Sequence, residues 1–150
     1  MVRAKLPRLV IAGLAGDSGK SLVSLGLIGA LRSRGLQVAP FKKGPDFIDA
    51  AWLAAASGAD CVNLDTFLID QDQIRNAFLS HTMHVDLSVI EGNRGLYDAP
   101  TTGGETSTAE LAKLLDLPVI LCIDCTKSTR TMAAVVSGCD MFDPDVNIRG

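Results

Sequence analysis

The sequence predicts a three-layer α/β fold built on a mainly parallel sheet. Short apolar runs alternate with helix-period segments along the whole chain. Most of those runs are almost continuously apolar, as strands covered on both faces must be. A glycine-rich stretch joins the first run to the first helical pattern, which is a strand–turn–helix unit.

The elements follow in order. Residues 9–12 read as the first strand, and 21–34 as a helix that Gly35 stops. Residues 38–41 form the second strand, and 50–57 and 71–79 two further helices. Residues 85–90 form the third strand. A helix over 108–115 starts at Thr106 or Ser107, with Glu110 in its first turn. Residues 119–123 form the fourth strand and 128–141 the last helix. Asp143-Pro144-Asp145 is a turn, and Val146-Asn147-Ile148-Arg149-Gly150 begins like another strand. The expectation is one domain over 1–150, truncated at its C-terminal side from a longer protein.

A chain of 150 residues, 47% of them hydrophobic, fits one domain with a substantial core. A net charge of −3 and a pI near 5.2 give no basic surface for nucleic acid. No apolar run approaches the ~18 residues of a membrane span. Met1-Val2-Arg3-Ala4-Lys5 is basic but precedes no long apolar signal core. A cytoplasmic protein with neither nucleic-acid nor membrane partners is expected. Cys61, Cys122, Cys125 and Cys139 suggest no disulfide framework. Cys122 and Cys125 have C-x-x-C spacing but no second ligand pair, so they read as buried or strand-end thiols. His81 and His84 read as a solvated helix end.

Gly13-Leu14-Ala15-Gly16-Asp17-Ser18-Gly19-Lys20-Ser21 is a phosphate-binding loop in the required context. Gly13, Gly16 and Gly19 let the backbone aim several N–H groups, with those of Asp17 and Ser18, at one anion. The helix that follows adds its positive end. Lys20 reaches the β/γ-phosphates of ATP, and the Ser21 hydroxyl ligates Mg²⁺. Five residues, not the usual four, separate Gly13 from Gly19. The fold is thus expected to be of the P-loop NTPase type.

Two more loops leave the same sheet edge, where α/β folds collect ligands. Glu91 ends the apolar strand before Gly92, placed to hold Mg²⁺ opposite Ser21. Phe41-Lys42-Lys43-Gly44-Pro45-Asp46-Phe47-Ile48-Asp49 gathers two lysines and two aspartates at a turn. Asp49 is the expected N-cap there if the segment is merely structural.

These segments resemble the cobyrinic acid a,c-diamide synthase family over roughly residues 8–150. The resemblance rests on the Gly44-Pro45-Asp46-Phe47-Ile48-Asp49 run, on Asn63-Leu64-Asp65 and on Glu91-Gly92-Asn93-Arg94-Gly95-Leu96-Tyr97-Asp98. It also rests on the helix from Ser107 to Leu115 and on Phe142-Asp143-Pro144-Asp145. It implies a dethiobiotin-synthetase-like fold and ATP-dependent amidation of a peripheral carboxylate on a corrin or related tetrapyrrole. Ammonia would come from a glutaminase domain outside this chain. The family's nucleotide residues match Gly16, Gly19, Lys20 and Ser21. Its metal and catalytic acids match Glu91 and, by position, Asp46. Its substrate-side residues match Phe47, Ile48, Asp49 and Asp98. The expected catalytic set is therefore Asp46, Asp49, Glu91 and Asp98, and the expected Mg²⁺ set Ser21, Asp46 and Glu91. Lys42, Lys43, Phe47, Ile48, Arg94 and Tyr97 are the expected substrate contacts. A homodimer is left open.

The chain departs from the family pattern at Lys43, at Asn93-Arg94, at Ala99 and over 125–130. The added cations resemble the sirohaem-amidating branch and would suit any polycarboxylate. Two other classes share the loop. Dethiobiotin-synthetase-like ligases are the nearer of these, and the two specific segments favour the amidotransferase over them. ParA/MinD-type ATPase switches carry a signature lysine where this chain has Ala15.

Overall fold

Five strands, β1 (Arg8–Gly13), β2 (Val38–Lys43), β3 (Val62–Leu64), β4 (Leu87–Glu91) and β5 (Val119–Cys122), form one parallel sheet in the order β3-β2-β4-β1-β5. The computed structural model describes residues 6–150, so Met1-Val2-Arg3-Ala4-Lys5 lies outside the described residues. Between the strands run α1 (Lys20–Ser33), α2 (Phe47–Ser57), α3 (Gln71–Thr82) and α4 (Thr108–Leu114), and α5 (Arg130–Phe142) follows β5.

Side chains that alternate along each strand divide the core in two. Val10, Ala12, Phe41 and Ile90 join Ile74, Phe78, Leu111 and Leu117 on the side of α3 and α4. Ile11, Val38 and Val89 join Ile28 and Leu53 on the side of α1 and α2. Apolar runs without polar gaps are what this double coverage requires, so the three-layer expectation holds. Among the described residues no helix is long and apolar enough to cross a membrane.

The helix boundaries follow from capping. Ser107 caps α4, its side chain accepting from Glu110 N, and Gly35 follows α1 with φ 83°. The α2 start differs from the sequence reading. Asp46, not Asp49, is the N-cap, and its Oδ1 accepts from Ile48 N at 2.9 Å and Asp49 N at 3.0 Å. The helix therefore begins three residues early and carries Asp49 in its first turn. β3 was not expected: its three residues are too few for a period and include the polar Asn63. Val85 and Asp86 precede β4, and the Asp86 carboxylate instead accepts from Gln37 N at 2.8 Å. Residues 146–150 run beside β5: Ile148 bridges Val119, backbone bonds join Val119 N to Asn147 O, Arg149 N to Val119 O and Leu121 N to Gly150 O, and Val146 is buried in the core.

Candidate nucleotide site

At the carboxyl end of β1 the chain turns back over itself and enters α1. A Cβ at Gly13 would collide with Ser18 Oγ, and Gly19 holds φ 86°, so both positions need glycine. Gly16 has neither constraint. Asp17 adopts φ 56°, a left-handed conformation that aspartate tolerates. Gly19 is the N-cap of α1, and no side chain caps that end, so its first-turn N–H groups face outward for an anion. Lys20 folds back over the loop and donates to Ala15 O at 2.8 Å. Burial lowers its pKa, and the nearby Lys42 charge lowers it further.

The second part of the site is written in strand register. Lys42 pairs with Glu91 across β2 and β4, and Ile11 pairs with Glu91 across β1 and β4. Lys42 and Glu91 lie on the sheet face that carries α1 and α2. Lys42 Nζ donates to Glu91 Oε1 at 2.8 Å and to Asp49 Oδ2 at 2.7 Å. Ser21 Oγ donates to the same Glu91 Oε1 at 2.7 Å. Burial alone would depress the Lys42 ammonium, but its bonds to Asp49 and Glu91 more than offset this and raise its pKa. Burial likewise opposes ionisation of Asp49, and Lys42 overrides it, lowering its pKa. The other Glu91 oxygen, Oε2, is buried without a hydrogen-bond partner among the described residues. An orphaned carboxylate oxygen beside a serine hydroxyl at a phosphate loop fits a hard divalent cation.

A cavity of about 430 Å³ opens over this node, lined by the loop from Gly16 to Leu22 and by Lys42, Asp49, Glu91, Asn93 and Arg94. The loop after β4 forms one wall. Leu96 N donates to Gly13 O at 2.7 Å, and the Thr108 hydroxyl bonds the backbone of Asn93. Arg94 takes φ 52° in this turn. A second cavity of about 420 Å³ lies beyond Asn93 and Arg94, bounded by Lys43, Asp65, Phe67, Leu68 and Asp98.

Several expected contacts sit elsewhere. Asp46 is outside the cavity over Ser21 and Glu91 because its carboxylate caps α2, and Asp49 takes the place beside Lys42. Lys42 is 2% exposed and bound to two acids, so it belongs to the site's internal scaffold rather than to a substrate rim. Tyr97 turns away: its hydroxyl donates to Cys139 O at 2.6 Å and its ring lies 4.8 Å from that of Phe142. Phe47 and Ile48 are exposed on the first turn of α2 and line neither cavity. Asp98 borders the second cavity, where its Oδ2 accepts from Gly95 N at 3.0 Å. Asn63 was given no role in the sequence. Its amide donates to Gly44 O and Asp46 O, at 2.7 and 3.0 Å, and sets the turn that leads into α2. Cys122 is buried at the end of β5, and Cys125 is exposed in the following loop.

A family model described as the CobQ/CobB/MinD/ParA nucleotide binding domain matches residues 9–148. The chain is 44% identical over 145 residues to a cobyrinate a,c-diamide synthase of Syntrophotalea carbinolica, covering 96% of this chain and 32% of that protein. It is also 44% identical over 146 residues to a hydrogenobyrinate a,c-diamide synthase of Streptomyces coelicolor, covering 97% and 30%. The chain thus spans about a third of the length of these relatives. Among solved structures, chloroplast FtsY from Physcomitrella patens superposes with a TM-score of 0.62 at 14% identity, over 98% of this chain and 49% of that one, a likeness of fold. With its phosphate loop, its strand-end glutamate and a family match over nearly its full length, the chain belongs to the CobQ/CobB/MinD/ParA nucleotide-binding domain family.

Proposed function

We propose that this chain is the ATP-binding synthetase part of a cobyrinate a,c-diamide synthase-like ligase. In this reading a peripheral corrin carboxylate attacks the γ-phosphorus of ATP and ADP leaves. Ammonia then attacks the acyl carbon, loses a proton and expels phosphate, giving the amide. The observation that carries the reading is the Ser21–Glu91–Lys42 node at the mouth of the phosphate loop. Lys20 exchanges Ala15 O for the β/γ-phosphates, and the open N–H groups of α1 receive the same charge. Ser21 Oγ and Glu91 Oε2 are the donors that would hold Mg²⁺. Bound there, the ion would neutralise charge on the phosphate oxygens. Lys42 donates to Glu91 and adds fixed positive charge to the same cleft. Asp49 holds Lys42 from the other side, and Asp98 stands on the far side of the shared wall. A glutaminase unit as ammonia source, a cytoplasmic location and a homodimer are parts of the same proposal.

The test is ADP release by the chain with Mg·ATP and ammonium, with and without cobyrinic acid. Corrinoid-dependent ADP release, with amide detected by mass spectrometry, is expected. Sirohaem and hydrogenobyrinic acid run as competing substrates in the same assay. ATP turnover indifferent to all three would defeat the ligase reading.

A further inference from the structure

The cavity beside the phosphate cleft has a composition that ATP does not explain. Lys43 ends β2 with its side chain on the sheet face opposite Lys42 and lines this cavity. It is 8% exposed and, among the described residues, makes no ion pair. Burial makes this ammonium costly and lowers its pKa; the nearby Asp65 carboxylate opposes that shift, and the Arg94 and Lys42 charges add to it. Arg94 faces the same space from the β4 loop, at a left-handed backbone position that side chains adopt at a cost.

Two carboxylates also border the cavity, and one oxygen of each is engaged by backbone. Asp65 Oδ1 accepts from Phe67 N at 2.9 Å and Asp98 Oδ2 from Gly95 N at 3.0 Å. Neither makes an ion pair with Lys43 or Arg94 among the described residues. The outer lip is apolar, with Phe67 70% and Leu68 67% exposed. A buried lysine and an exposed arginine in a pocket with a greasy lip match an amphipathic acid better than a free phosphate. Asn93 and Arg94 line both cavities, so the two spaces adjoin across that pair.

We infer that the second cavity is a carboxylate subsite. Lys43 and Arg94 bind a non-reacting carboxylate of the polycarboxylate substrate there, while Phe67 and Leu68 cover part of its apolar ring framework. The assignment rests on the corrinoid reading above and adds the residues that position the substrate during reaction at another carboxylate.

Equilibrium dialysis of the 150-residue chain against cobyrinic acid, followed by visible absorbance, tests it. Its neutral heptamethyl ester is the control ligand. Lys43→Met and Arg94→Met should each weaken cobyrinic acid by about 10-fold or more, the effect of one charge-assisted contact. The ester should bind weakly to all three proteins and without difference among them. Mg·ATP affinity of Lys43→Met, measured separately, should change by less than about 2-fold, since that side chain lies outside the phosphate cleft. Unchanged cobyrinic acid affinity in both variants overturns the subsite while leaving the ligase reading intact. So does a loss of ATP affinity in Lys43→Met, which would mark the pocket as part of the nucleotide site. Failure of the wild-type chain to bind cobyrinic acid overturns the ligase reading and the subsite together.

Discussion

In the phosphate cleft Lys20, Lys42 and Glu91 each hold a hydrogen-bond partner, whereas in the adjoining cleft the equally buried Lys43 holds no ion pair among the described residues. Lys42 and Lys43 are consecutive in β2, so the strand sends one to each face of the sheet. On one face the register delivers Glu91 to the ammonium; on the other it sets Lys43 beside Leu64, with no ion pair among the described residues. On the proposal above, the difference separates charge that organises the protein from charge held for a ligand. Opposite responses to the same substitution should expose it.

The largest effect is expected from Lys42→Met. It strands Glu91, 1% exposed, without its cation, a change that costs about 3–5 kcal/mol in buried pairs. Melting temperature should fall by roughly 10 °C in scanning calorimetry. A fall under a few degrees would mean that the pair is not held together in solution. Next, Lys20→Ala should weaken Mg·ATP by about 100-fold in titration calorimetry, because phosphate loses its cationic side chain from the loop. Its melting temperature should hold, since Lys20 is bonded to no acid. Glu91→Gln falls between these. Lys42 keeps Asp49, so the stability loss should be about 2 kcal/mol, while the Mg²⁺ dependence of nucleotide binding should vanish. Nucleotide binding that still responds to Mg²⁺ would return Glu91 to a purely structural role.

The smallest effect has the opposite sign. Lys43→Met should leave stability unchanged or raise it by about 1 kcal/mol, since it removes a buried charge without removing a partner. Alkaline melts sharpen the contrast. Lys42 has a raised pKa, so its contribution is complete below the ordinary lysine value and is lost as pH climbs through the folded value. Lys43 has a lowered pKa, so the unfolded chain holds the proton longer and stability gains as pH rises toward the ordinary value. Wild type and Lys43→Met should therefore diverge in pH slope before Lys42 titrates; parallel curves would remove the claim that Lys43 is strained by burial.

Much of this was readable in the chain. The loop from Gly13 to Ser21 and the strand-end Glu91 carry local signals: glycine spacing, a hydroxyl after lysine, an acid closing an apolar run. The double-covered strands announced the three layers. The second cleft was not readable, because it joins residues 43–45, 65–68 and 93–100 through the strand order β3-β2-β4, which no local pattern encodes. The exchange of Asp46 and Asp49 has a different cause. Both fit a helix start, and the choice depends on where Asn63 holds the preceding turn. Tyr97 sat in a functional-looking segment yet serves packing, because α5 lies against it and supplies the Cys139 carbonyl.

The node at Glu91 is assembled from parts remote along the chain. Lys42 is 49 residues from Glu91, and Ser21 is 70. No hairpin or isolated helix pair contains it, so a partly folded chain has no nucleotide site. Bound nucleotide therefore favours only molecules in which β1, β2 and β4 are all docked, by about 2.7 kcal/mol at a hundredfold excess over its dissociation constant. Amide hydrogens in the central strands should then exchange more slowly with nucleotide present, while those of α5, which buries no side chain, should gain less.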